Sequence, residues 1–156
     1  MRHFLFLAIL ALSSQSHALM NIDQCVDSNQ YNVIYQSNFQ IMQAGEGRII
    51  NGAPVILVNP QLMQNNSPGV NQFILAHECA HHRLGHIVSL TFNNYYPPTF
   101  EFDADCLAIK EMRNQNLLNQ QIVSQIYQMI GGLMEDASHP AGPRRVQYIQ
   151  QCLNQP

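Results

Sequence analysis

Charge is scarce in this sequence. Only 11% of the 156 residues are charged, Lys110 is the sole lysine, and the arginines are scattered apart from Arg144-Arg145. A nucleic-acid partner would need a basic stripe, and none is present. Beyond the N-terminus no run is long and apolar enough to cross a bilayer. No repeat, linker or low-complexity segment divides the chain, although Asn and Gln recur throughout. These absences leave one ordinary domain with a single core.

The N-terminal apolar run, Phe4 to Leu12, is too short to span as a mature helix. Arg2 and His3 precede it and the small-residue site Ser16-His17-Ala18 follows, the layout of a secretory signal peptide cleaved after Ala18. Cleavage would remove Arg2, the one charged residue of that segment, and take the formal charge from −3 to −4. The expectation is a signal peptide over 1–18 and a single domain over 19–156, exported to a periplasm or secreted, without membrane insertion after cleavage. Ile22-Asp23-Gln24 before Cys25 is not a lipoprotein lead-in. Cys25, Cys79, Cys106 and Cys152 all lie past the cleavage site, and an even number in an exported chain reads as two disulfides.

Histidine, by contrast, is concentrated. Four of seven fall in the ten residues His77-Glu78-Cys79-Ala80-His81-His82-Arg83-Leu84-Gly85-His86. Within them stands H-E-x-x-H. On a helix, positions i and i+4 stand one above the other, so His77 and His81 can hold zinc together. Glu78, one position round, can reach a water as general base. A solvated His-rich helix could match by accident. However, Val70, Phe73, Ile74, Ala76, Ala80 and Leu84 continue a buried face, where unpaired polar groups are costly. Cys79 lies about 200° round from His77 and should face away from the metal. His82 and His86 also fall off the ligand face of an unbroken helix and are expected to bond nearby structure.

Around this helix the pattern predicts an α+β fold, a small N-terminal β-sheet followed by a helical zincin-like metallopeptidase core. A short helix over Asn21–Gln30 carries Cys25. Strands are expected within Tyr31–Gln43, at Arg48-Ile49-Ile50 and, most clearly, at 54–59, with turns at Gly45-Glu46-Gly47 and Asn51-Gly52. Helices follow at 68–86, 100–113 and 118–134, then a last one opened by Pro143.

The second of these helices begins Glu101-Phe102-Asp103-Ala104-Asp105. Glu101 and Asp105 share a face. A carboxylate at 101 completes a two-His, one-Glu site with an open fourth position, and Asp105 can accept the outer N–H of a ligating histidine. Acids also favour helix starts for dipole reasons, but that leaves their coincidence with H-E-x-x-H unexplained. The metzincin alternative needs Gly three and His six residues after the second histidine, and Leu84 and Ile87 stand there.

His77-Glu78-x-x-His81 with Glu101-Phe-Asp-Ala-Asp105 resembles the gluzincin zinc peptidases. Three further features resemble the CAAX-prenyl-protease/HtpX-like family in particular: Val55 to Leu62 as an edge strand, His86 five after His81, and His139-Pro140 with Arg145 six after His139. The resemblance implies a zinc-dependent endopeptidase with one Zn²⁺ per chain on His77, His81 and Glu101. It implies Glu78 as base, Asp105 behind a ligand, and His139 and Arg145 near a protein or peptide substrate. Misfolded or exported envelope proteins would be the substrates. Integral members of that family carry membrane helices, and the His81-to-Glu101 gap here is short, as in thermolysin-like and ImmA/IrrE-like peptidases.

Further expectations concern details. The strand over 54–58 pairs with an extended substrate. Arg145 holds substrate or oxyanion, and His139 assists it or caps the metal at rest. Cys79 pairs with Cys106, because their helices must meet to assemble the site, and Cys25 with Cys152. The competing function is a non-hydrolytic zinc-binding adaptor or inhibitor that keeps the fold.

Overall fold

The computed structural model describes residues 25–155. The expected signal peptide, and Asn21–Gln24 of the expected first helix, lie outside them. The fold is α+β. Strands β1 (Ile34–Ser37), β2 (Gly45–Ile50) and β3 (Ala53–Val58) are followed by helices α1 (Pro60–Met63), α2 (Pro68–Arg83), α3 (His86–Asn93), α4 (Thr99–Asn114), α5 (Gln120–Gly131) and α6 (Gly142–Leu153).

Residues 25–30 are not helical. Asp27 Oδ1 accepts from the backbone N–H groups of Asn29 and Tyr31 at 2.9 and 2.8 Å, and Gln30 takes φ +67°. An Asp that satisfies its own neighbours in this way competes with the helix. Val26 instead forms a bridge to Asn32.

The sheet order is β1-β3-β2, with β1 parallel and β2 antiparallel to β3. Asn51 (φ +51°) and Gly52 (φ +81°) make the tight β2–β3 turn, as their residue types require. The strand over 54–58 is therefore central rather than an edge. Both its sides are hydrogen-bonded, so it cannot accept the substrate strand that the sequence led one to expect. The sheet's outer edges belong to β1 and β2, and that of β2 lies beside α2. Gly45 and Gly47, read from sequence as a turn, lie inside β2. They are glycines because α2 and α3 press on them: a Cβ on Gly45 would stand 2.9 Å from Ile74 Cγ2, and one on Gly47 3.1 Å from Ile87 Cδ1.

Ser67 caps α2 by accepting from Val70 N–H, with Pro68 in the first turn. The helix stops at Arg83, earlier than its apolar pattern suggested, because Gly85 adopts φ +75° and redirects the chain into α3. Two small-residue pairs, Ala76 and Ala80 on α2, Ala104 and Ala108 on α4, are fully buried and let these helices approach closely. Phe73, Ile109, Met112, Ile126, Ile130 and Ile149 fill the space below, joining α2, α4, α5 and α6 in one core. A second cluster, Cys25, Val33, Ile56, Leu75 and Cys79, seats the other side of α2 on the sheet.

That second cluster overturns the expected cysteine pairing. The disulfides are Cys25–Cys79 and Cys106–Cys152. The same rotation of about 200° that turns Cys79 from the metal side also turns it from α4, which meets α2 on that side. Cys79 faces the sheet and Cys25, whereas Cys106 faces α6 and Cys152.

Candidate metal centre

One turn of α2 and the first two turns of α4 carry the site. His77 and His81 project from α2 toward Glu101 on α4, and all three are buried. His77 Nε2 and His81 Nε2 are 2.9 Å apart. Glu101 Oε2 lies 3.4 Å from the first and Oε1 3.3 Å from the second. Four ligands placed tetrahedrally at about 2.0–2.1 Å from zinc would be about 3.3 Å apart. The two separations to Glu101 match this spacing, the His77–His81 separation is shorter, and the donor types are ones zinc accepts. Glu101 Oε2 is also a buried carboxylate oxygen without a well-aligned hydrogen bond, its near neighbours being the Arg145 cation at 3.0 Å and His77 Nε2.

Groups behind the donors aim them. Asp105 Oδ1 stands 3.0 Å from His77 Nδ1, and this carboxylate would hold a proton there and leave Nε2 to a metal. His81 Nδ1 is 3.0 Å from His86 Nδ1, and the His86 ring is stacked on Phe100 at 3.8 Å. Burial, then the neighbouring His81, lowers His86 to about 4. With His86 neutral and accepting at Nδ1, His81 would carry its proton on Nδ1 and leave Nε2 to a metal. The break at Gly85 makes this contact: on an unbroken helix His86 would lie elsewhere. His82, off the ligand face, donates to the Val55 carbonyl at 3.0 Å.

Arg145 is the buried hub of the cluster. Its Nε and Nη2 donate to Asp105 Oδ2 and Oδ1, each at 2.8 Å, while Nη1 lies 3.0 Å from Glu101 Oε2. The guanidinium thus ties α6 to both acids of α4. Burial opposes the charge on Glu101, but His77 and His81 outweigh it and hold the carboxyl far below its usual range. Asp105 is likewise lowered against its burial, by Arg145 and His77. Burial works against the His77 cation too, yet Asp105 and Glu101 raise it to about 10, so in the metal-free site this imidazole carries the proton that a metal would replace.

Glu78 faces the same cleft. Its Oε2 accepts the Gly47 N–H of β2 at 2.8 Å. In an antiparallel pair alternate residues turn their polar groups inward. The Asn59 N–H bond to the Ala44 carbonyl puts Ala44, Glu46 and Arg48 on the β3 side, and Gly45 and Gly47 on the free edge. The outer edge of β2 therefore grips one oxygen of Glu78. Gly45→Ala is expected to disturb this grip, since its Cβ would also stand 3.0 Å from Glu78 Cγ. Overpacking of this kind costs about 1–3 kcal/mol. A thermal melt should fall, with zinc uptake unchanged because no ligand moves.

His139 sits at the rim. Its Nδ1 lies 3.0 Å from Asp136 Oδ1, and Nε2 points toward Glu101 Oε1 at 3.8 Å. It stands outside the three-residue donor group. Asp136 also accepts from the backbone N–H groups of Ser138 and His139, both at 2.8 Å, and these bonds draw its carboxyl below the usual range.

Sequence reasoning missed Tyr96. Its hydroxyl donates to Glu101 Oε1 at 2.6 Å and lies 3.3 Å from His81 Nε2. Burial, then the Glu101 charge, pushes the phenol well above its ordinary value, so it remains an O–H donor. The signal available was weak: a Tyr pair before Pro97-Pro98, five residues ahead of Glu101. The site opens into a cleft of about 730 Å³ with Met42, Leu90, Leu133 and Met134 on its apolar walls. Comparison with protein families, with curated proteins and with solved structures finds no match to this chain.

Proposed function

We propose that this chain is an exported zinc-dependent endopeptidase of gluzincin type, with His77, His81 and Glu101 as ligands to one Zn²⁺. The observation that carries the reading is the junction of two things in one cleft. Three buried donors lie close enough together to share one metal ion, and an adjacent carboxylate, Glu78, lines the same cleft with one oxygen held by Gly47 N–H. A purely structural metal site has no use for the second. Such sites are closed and rich in cysteine, whereas both cysteine pairs here are consumed in disulfides.

Zinc bound there would supply an acidified water and polarise the peptide carbonyl. Glu78 accepts the proton of the attacking water and passes it to the departing amine. Asp105, His86 and Arg145 keep the ligands aimed. The outer edge of β2 beside the cleft, with exposed Met42 and Met134 lining that cleft, suits an extended polypeptide with apolar side chains. Export is supported by the two disulfides.

The test pairs metal analysis with cleavage of reduced, carboxymethylated casein. Mature protein should carry about one zinc, and His81→Ala or Glu101→Ala should lose it. Glu78→Gln should keep zinc and lose hydrolysis. Zinc bound by wild type without any cleavage would favour the non-hydrolytic module. Glu101→Ala binding zinc as tightly as wild type would remove α4 from the site.

A further inference from the structure

Tyr96 lies in the link between α3 and α4, beyond Asn94 in its left-handed conformation and just before Pro97-Pro98. Its ring is fixed from two sides, edge-on to Phe100 at 5.5 Å and tilted against His81 at 5.7 Å. The hydroxyl oxygen stands 2.6 Å from Glu101 Oε1 and 3.3 Å from His81 Nε2, atoms that are themselves 3.3 Å apart. The phenol therefore closes a triangle with two of the three donors, and it does so from the cleft side.

Peptide hydrolysis needs a donor for the carbonyl oxygen as it gains charge. The cationic candidate is committed elsewhere. Arg145 spends Nε and Nη2 on Asp105 and turns Nη1 to Glu101, at the floor of the site. His139 reaches only the rim, with Nδ1 held by Asp136. The Tyr96 O–H is different. Glu101 keeps Arg145 on its other oxygen, so the phenol hydrogen can leave Oε1 by rotation about one C–O bond without stranding a buried charge.

Resting on the endopeptidase reading, we infer that Tyr96 is a catalytic residue of this site. Its hydroxyl is held on Glu101 at rest and donates to the substrate carbonyl oxygen as that carbon becomes tetrahedral. No covalent bond is made or broken by Tyr96. The stabilisation exists only in the transition state, so its loss lowers kcat and spares KM.

Tyr96→Phe keeps the ring packing and removes only the donor. On reduced, carboxymethylated casein kcat should fall on the order of 100-fold, as for loss of one oxyanion donor, with KM within about twofold. Zinc affinity, measured by competition with a chromophoric chelator, should not change. Affinity for a leucine-flanked phosphinic pseudopeptide, whose tetrahedral anion mimics the charged adduct, should fall with kcat. Affinity for the corresponding product peptides should hold. Wild-type kcat and phosphinate affinity in the variant would overturn the assignment. So would a loss of activity matched by a loss of zinc affinity and restored by saturating zinc, which would make Tyr96 a prop for Glu101. Wild-type protein that neither binds zinc nor cleaves casein would overturn the endopeptidase reading and this inference together. An active wild type with an unaffected variant overturns the inference alone.

Discussion

Arg145→Met is expected to destabilise the metal-free protein by about 3–5 kcal/mol, the cost of breaking a buried ion pair from one side. The guanidinium is 5% exposed and Asp105 is fully buried, so water cannot replace the lost partner. Asp105 would remain charged against His77 alone, and Glu101 would lose the cation at Oε2. Zinc affinity should therefore fall as well, by about 10–100-fold, the usual penalty for removing a group that orients a ligand. Asp105→Leu combined with Arg145→Leu should recover much of the stability, because neither charge is left stranded. It should not recover the zinc affinity, because His77 Nδ1 still lacks its acceptor. Urea denaturation and chelator competition on the same samples separate the two effects. A single Arg145 variant with wild-type stability and zinc content but slower cleavage would instead place the guanidinium on the substrate, as its His-Pro…Arg context suggests.

What could be read from the sequence was what helical periodicity carries. His77, Glu78 and His81 sit within one turn of one helix, and Glu101 with Asp105 within one turn of another. The structure brings both sets together because alanines at 76, 80, 104 and 108 let the helices touch. Contacts fixed by distant packing were not legible. Gly45 and Gly47 look like turn residues until α2 and α3 are laid across them. His86 looks out of phase until Gly85 breaks the helix and returns it to His81. The strand over 54–58 looks like an edge because its neighbours' order is not local information. Tyr96 gave only a weak sign of its contact with Glu101, since only the path of the α3–α4 link brings its hydroxyl there.

Non-reducing peptide mapping should return Cys25–Cys79 and Cys106–Cys152 peptides, and a Cys79–Cys106 peptide would refute the packing described for α2. The two bridges close loops of similar span, with separations of 54 and 46 residues. Loop entropy then gives about 4 kcal/mol for each. Domains of this size are stable by only about 5–15 kcal/mol, so one bridge should be dispensable at room temperature and loss of both should leave little folded protein. Their consequences for the site should differ. Cys25–Cys79 anchors the N-terminal segment to the sheet-facing side of α2, away from the donors. Cys106–Cys152 clamps α4 to α6 one residue from Asp105, across the joint that Arg145 closes. Cys106→Ala with Cys152→Ala should therefore weaken zinc binding as well as stability, whereas Cys25→Ala with Cys79→Ala should lower stability and leave zinc affinity near wild type. Melting curves and zinc titrations of the two double variants provide the comparison. Equal zinc affinities would mean that the buried ion pairs hold α4 and α6 in place without the disulfide.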